Sequence, residues 1–118
     1  MATGFDILTT LNRIHGILQH HPSDSSAWLA SIIELYHSDK DAFYRELNSK
    51  HMWGGAGSIA NQALADNPGM ESWIWQSEIR EFRELMIELG NHLQSRGSSY
   101  PDISSWLLAF SNWNQSDV

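Results

Sequence analysis

The sequence contains no cysteine, which excludes disulfide bonds, thiolate metal sites and a cysteine nucleophile. It also lacks any stretch close to the roughly 20 apolar residues that a membrane span requires. Its first residues show neither the basic start nor the apolar run of a secretory signal. From these absences we expect a cytoplasmic protein with no membrane association.

Basic residues are scarce, and they form no cluster along the chain. Seven Lys and Arg stand against fourteen Asp and Glu, which gives a formal net charge of -7. Because neutralising phosphate groups supplies most of the affinity for nucleic acids, this balance argues against direct binding to DNA or RNA. The excess of acidic residues favours a basic protein partner, although it can also serve only to keep a small protein soluble.

Hydrophobic residues are plentiful, at 42% of the 118 residues, and six of them are tryptophan. A chain of this length can bury one core, so we expect a single domain over residues 1–118 with a frayed polar tail at 114–118. There is no internal repeat and no convincing strand. Apolar spacing predicts an all-α fold of five to six helices, at about 5–20, 24–36, 39–50, 59–64, 70–95 and 102–112.

Several helix ends carry recognisable signals. Thr3 and Asp6 have the spacing of a capping box for the first helix. Ser38 or Asp39 can cap the third helix, on which Tyr44 is expected to face solvent together with its charged neighbours. Gly97 supplies a stop for the long helix.

The helix near 70–95 is expected to be the centre of the fold. Its apolar residues advance by alternating steps of four and three, which is typical of a packing seam: Trp75, Ile79, Phe82, Met86, Leu89 and Leu93. Charged residues are predicted to occupy its outer, solvated face: Glu71, Glu78, Glu81, Glu84, Glu88, Arg80 and Arg83.

The run Trp53-Gly54-Gly55-Ala56-Gly57-Ser58-Ile59 is neither an amphipathic helix nor an ordinary polar loop. A phosphate cradle is disfavoured because the run lacks the Lys-Ser/Thr ending of a P-loop and the spacing of a dinucleotide motif. Gly54, Gly55 and Gly57 are better explained by a sharp bend where two helices meet, with Ser58 capping the next helix. A partner-binding loop remains an alternative.

The sequence shows none of the residue patterns that are typical of catalytic or metal sites. The six histidines form no His-x-x-x-His pair, the serines lie at helix starts where they serve as caps, and the glutamates of the long helix face solvent. We therefore predict no catalytic residue, no metal site and no cofactor, and a protein that is not an enzyme.

One tryptophan stands apart from the predicted seams. Trp73 precedes the seam by two residues and therefore points to the opposite side of its helix. An exposed tryptophan beside acidic residues is a reasonable centre for a protein contact, although another element could also cover it. The residues predicted to contact a partner are Trp53, Asp66, Glu71, Trp73 and Glu78.

A family resemblance covers roughly residues 25–96. It rests on Phe43-x3-Leu47, on the glycine-rich run 53–59 and on Glu81-Phe82-x2-Leu85. Together these resemble small bacterial all-helical proteins of uncharacterised function with a Gly-Gly-x-Gly-Ser signature, which are similar to the immunity proteins encoded beside antibacterial toxins. Members often carry Asn-Asp shortly after the serine, whereas this chain has Ala60-Asn61-Gln62, so a role tied to those polar residues does not transfer.

The resemblance implies an immunity-type protein that binds a cognate toxin and neutralises it by contact. The acidic composition makes a basic toxin the expected partner. The alternatives are a self-associating helical module with a regulatory or scaffolding role and, less favoured, a small-ligand or metal-dependent enzyme.

Overall fold

Six α-helices make up most of the described chain. The computed structural model describes residues 6–20, 25–54, 58–61, 71–97 and 100–115, and no strand occurs among them. In chain order the helices are α1 (Ile7–Leu18), α2 (Ser25–Ser38), α3 (Lys40–Leu47), α4 (Lys50–Trp53), α5 (Ser72–Ser95) and α6 (Ile103–Gln115). The predicted all-α fold around a long helix is confirmed.

The start of α1 differs from the capping box expected from the sequence. Asp6 has extended backbone angles and is itself the N-cap, since its side chain accepts a hydrogen bond from the Leu8 N–H at 3.1 Å. The capping-box expectation placed Asp6 inside the helix and is therefore wrong in register. Thr3 lies outside the described residues.

The predicted third helix is divided in two. Asp39 caps α3 as expected, because its carboxylate accepts from the Ala42 N–H at 3.1 Å. α3 ends at Leu47, however, and the backbone N–H and the side-chain amide of Asn48 both donate to the Tyr44 carbonyl, at 3.1 and 3.0 Å. The chain restarts as the short α4 directly after Ser49.

α5 lies at the centre of the fold, as the heptad-like seam predicts. It packs against α1 on one flank and α6 on the other, while α2 packs against both α1 and α3. Trp75, at the first seam position, is half-buried. The other five seam positions are buried: Ile79, Phe82, Met86, Leu89 and Leu93. Burial of each such side chain stabilises the fold by roughly 1.5–3 kcal/mol.

α5 and α6 run antiparallel in close contact. Near one end of the pair the Gln94 amide donates to the Ser104 hydroxyl at 2.9 Å, and near the other the Arg83 guanidinium donates to the Asn114 side chain at 3.4 Å. These two contacts fix the register of the helices. α5 stops at Ser95, and Gly97 follows with a φ of 113°, so the predicted glycine stop is confirmed.

None of the helices in the described ranges is both long enough and apolar enough to cross a bilayer. α5 has the length, but its charged residues rule it out.

Candidate partner-binding surface

Trp73 lies in the first turn of α5 and points away from the core. Its residue surface is 67% exposed, so the expectation that it faces the side opposite the seam is confirmed. The indole N–H donates to Glu71 Oε2 at 2.7 Å, and Glu71 is exposed as well. We call these two residues the Trp73–Glu71 pair.

The pair is held by the local geometry of the helix start. Glu71 is the N-cap residue of α5, and its carbonyl accepts from the N–H groups of Ile74 and Trp75 at 3.0 Å. Its carboxylate makes no capping bond to the backbone and holds the Trp73 indole instead. A negative charge is stabilised at this end of a helix by the aligned peptide dipoles. The tryptophan ring is therefore exposed but already restrained.

Glu78 does not lie on the free outer face that the sequence predicts. Its Oε2 is 2.7 Å from Nδ1 of His20, at the end of α1, and its side chain is only 17% exposed. Its Oε1 is buried without a hydrogen-bond partner in the described part of the chain. Glu78 lies on the α1 flank of α5, where the neighbouring helix covers it, and so it is a poor candidate for a partner contact.

An ion pair joins α1 directly to α5. The Arg13 guanidinium donates to both carboxylate oxygens of Glu81, at 2.7 and 2.8 Å. This hydrogen-bonded contact with Glu81 raises the pKa of Arg13. Glu81, which was expected to be solvated like Glu78, thus also connects α5 to α1.

Trp53 is a core residue and offers no surface to a partner. It is fully buried, and its indole N–H donates to the Leu47 carbonyl at 2.8 Å. Its own carbonyl accepts from the Trp106 indole N–H at 2.7 Å, which ties α6 to the end of α4. We therefore do not include Trp53 in the candidate surface, because its bonding groups and its ring are engaged inside the protein.

The described flanks of the glycine-rich run lie close together. The Ile59 N–H donates to the His51 carbonyl at 2.9 Å, so Ile59 lies against α4. Ser58 is buried, and its hydroxyl accepts from the Asn61 N–H at 3.2 Å, which is the bond expected of a cap. Gly55 and Gly57 lie outside the described residues, as does Asp66, which was predicted to contact a partner.

Gly54 allows a backbone approach that a side chain would block. A Cβ at this position would lie 2.5 Å from the Lys50 carbonyl oxygen and 2.9 Å from the Lys50 Cα. This close approach, together with the bond from Ile59 to α4, agrees with a structural role for the described part of the segment.

Arg83 is buried, which corrects the expectation that it faces solvent. Its guanidinium lies 5.1 Å from the ring centre of Trp113 and contacts Asn114, so it is enclosed between α5 and α6. Burial, with a smaller effect from Arg80, lowers the pKa of Arg83.

A cluster of side chains that the sequence pattern does not predict lies at the other end of α5. Tyr44 is half-buried rather than exposed, because its hydroxyl lies 3.3 Å from His92 Nε2 and the Arg96 guanidinium lies 3.6 Å from its ring centre. Burial and the nearby charge of Arg96 lower the pKa of His92. The available signal was the four-residue spacing between His92, in the last turn of α5, and Arg96, which caps that helix.

Within the described ranges, no three His, Asp or Glu side chains come together as a metal-binding group. The start of α5 presents a restrained aromatic ring beside a carboxylate. Such a surface can bind another protein through apolar contact and charge.

Comparisons of the chain with protein-family models, with curated proteins and with solved structures found no match.

Proposed function

We propose that this protein is an immunity-type inhibitor that binds a cognate antibacterial toxin through the Trp73–Glu71 pair. The observation that carries the proposal is an indole that is 67% exposed and yet held by a carboxylate 2.7 Å away. Tryptophan is enriched among the residues that dominate interface energies, because its large ring loses much contact with water on binding. A ring that is already restrained loses less conformational entropy when a partner covers it.

The charge of the chain supports a basic toxin as the partner. The formal net charge is -7, and Glu71 adds an exposed carboxylate at the edge of the Trp73 ring. Glu84 and Glu88 are exposed farther along the outer side of α5. Arg80, which is also exposed, lies nearer to the start of the helix. An acidic surface increases the rate at which a basic partner associates, and the effect weakens as salt screens it.

Neutralisation through this surface requires only that the inhibitor binds the toxin. The bound inhibitor occludes or distorts the active site of the toxin in the cytoplasm of the producing cell, and it supplies no catalytic group or cofactor. The six tryptophans and the acidic composition fit such a protein–protein role. The family resemblance carried by residues 25–96 favours the same function.

Capture followed by a growth assay tests this proposal. Tagged protein is used to recover partners from a lysate of the native cells, and each partner is then expressed in a heterologous bacterium. We expect one partner to arrest growth and co-expression of this chain to restore it. At matched expression levels, Trp73→Ala should restore growth less well. Failure of every captured partner to arrest growth, or failure of the wild-type chain to restore it, would contradict the proposal.

A further inference from the structure

The outer side of α6 differs in charge from the other helices of the described chain. α6 contains no Asp, Glu, Lys, Arg or His over its 13 residues. Leu108 is 65% exposed near the middle of the helix. The exposed side chains of the helix form what we call the α6 outer face: Ser104, Ser105, Leu108, Asn112 and Gln115.

Every other described helix exposes at least one charged side chain. One exposed charged residue from each helix, in the order α1 to α5, serves as an example: Arg13, Glu34, Asp41, Lys50 and Glu84. The α6 outer face is therefore the one helix surface of the described chain on which an acidic protein presents no charge of its own.

We infer that the α6 outer face docks a second copy of this chain, with the two α6 helices antiparallel across a twofold axis at Leu108. Two copies with a net charge of -7 repel each other, and this repulsion is weakest where the touching faces are uncharged. A basic partner would instead be attracted to the acidic faces. In a twofold contact each copy presents the same patch, so an uncharged face with a central leucine is complementary to itself.

The position of Leu108 suits this arrangement. A 13-residue helix is about 20 Å long, and an axis near its middle lets the two helices overlap over most of that length. The short side chains of Ser104 and Ser105 allow the helices to approach closely. A single helix pair is a small contact compared with the roughly 1,200–2,000 Å² of a standard stable interface, so we expect a weak dimer.

The inferred dimer contact is separate from the Trp73–Glu71 pair. Ser104 bonds to Gln94 and Asn114 to Arg83, so Leu108 lies level with about residue 90 of α5. Trp73 lies about 17 residues earlier on the same helix, which corresponds to about 25 Å at 1.5 Å per residue. Dimer formation leaves Trp73 accessible, and so the two proposals succeed or fail independently.

Sedimentation equilibrium of the full chain from about 5 to 500 µM tests the inference, on the concentration scale of a weak interface. For the wild type we expect a mass that rises from one chain of 13.4 kDa toward two. Leu108→Glu should remain a monomer. Ala27→Glu is the matched control, because Ala27 is exposed on α2, and it should associate like the wild type. A wild type that stays monomeric, or a Leu108→Glu variant that associates equally well, would overturn the inference.

Crosslinking gives a second readout that does not depend on the charge variant. The chain contains no cysteine, so Leu108→Cys introduces a single thiol at the proposed axis. With oxidised glutathione as the oxidant, two such thiols within disulfide reach should link at least about tenfold faster than those of Ala27→Cys. Equal rates of dimer formation for the two variants would contradict the proposed contact.

Discussion

Gly90 of α5 lies against Leu107 of α6 so closely that a Cβ at position 90 would come within 2.7 Å of the Leu107 Cδ2 atom. The same Cβ would lie 3.1 Å from Cγ2 of Ile103. A glycine in the interior of a helix costs about 0.5–1 kcal/mol relative to alanine, so its presence here reflects the space that α6 occupies. Gly16, in the interior of α1, has its nearest atom 3.9 Å away, at Arg13 Nη1.

We expect Gly90→Val to destabilise the protein by about 1–3 kcal/mol, because the added methyl groups must displace α6 side chains from a packed contact. Gly16→Ala is the matched control and should stabilise by about 0.5–1 kcal/mol, since it improves helix propensity without a clash. Urea unfolding of both variants measures the two changes. A Gly90→Val variant as stable as the wild type would show that α6 does not pack against α5 at this position.

His92 should make the stability of the protein depend on pH. Burial and Arg96 lower its pKa in the folded state from the ordinary value of 6.5, and Tyr44 is the group that faces it from α3. As the pH falls below 6.5, the unfolded chain takes up this proton before the folded protein does. The free energy of unfolding therefore decreases until the pH reaches the lower folded-state pKa.

Comparison with His92→Gln isolates this contribution, because the two proteins differ only at this residue. Between pH 7.5 and pH 5, the wild type should lose more stability than the variant, as measured by urea unfolding at each pH. Parallel stability curves for the two proteins would show that His92 titrates normally in the folded state.

Substitution should destabilise the protein at Trp53 and have little effect on stability at Trp73. Trp53→Phe deletes the indole N–H that satisfies the buried Leu47 carbonyl and leaves unfilled volume in the core, so we expect a loss of about 2–4 kcal/mol. Trp73→Phe changes an exposed side chain and should stay within about 0.5 kcal/mol of the wild type. Similar unfolding free energies for the two variants would place both rings in equivalent surroundings, contrary to the structure.

The helices and much of the core were predictable because each depends on local spacing. The alternating four- and three-residue steps from Ile79 to Leu93 identify the buried side of α5 without knowledge of its neighbours. Asp39 and Gly97 likewise act within one helical turn, and both predicted ends are confirmed. The exposed position of Trp73 followed from the same periodicity.

The contacts between helices were not predictable in this way. A helical pattern separates the buried side from the exposed side, but it does not show which helix covers the flanks. Glu78 and Arg83 lie on opposite flanks of α5, where α1 covers one and α6 covers the other. Trp53 lies in a four-residue helix that is too short to show periodicity, so its burial becomes visible only in the fold.

The proposed role of Trp73 as the main contact with a toxin is tested by the binding affinity of the purified pair. Isothermal titration calorimetry would compare the wild type, Trp73→Ala and Asn91→Ala, whose substituted residue is exposed much farther along α5. We expect Trp73→Ala to weaken binding by about 30-fold or more, which corresponds to about 2 kcal/mol, and Asn91→Ala to bind like the wild type. An unchanged affinity for Trp73→Ala would show that Trp73 is not the main contact.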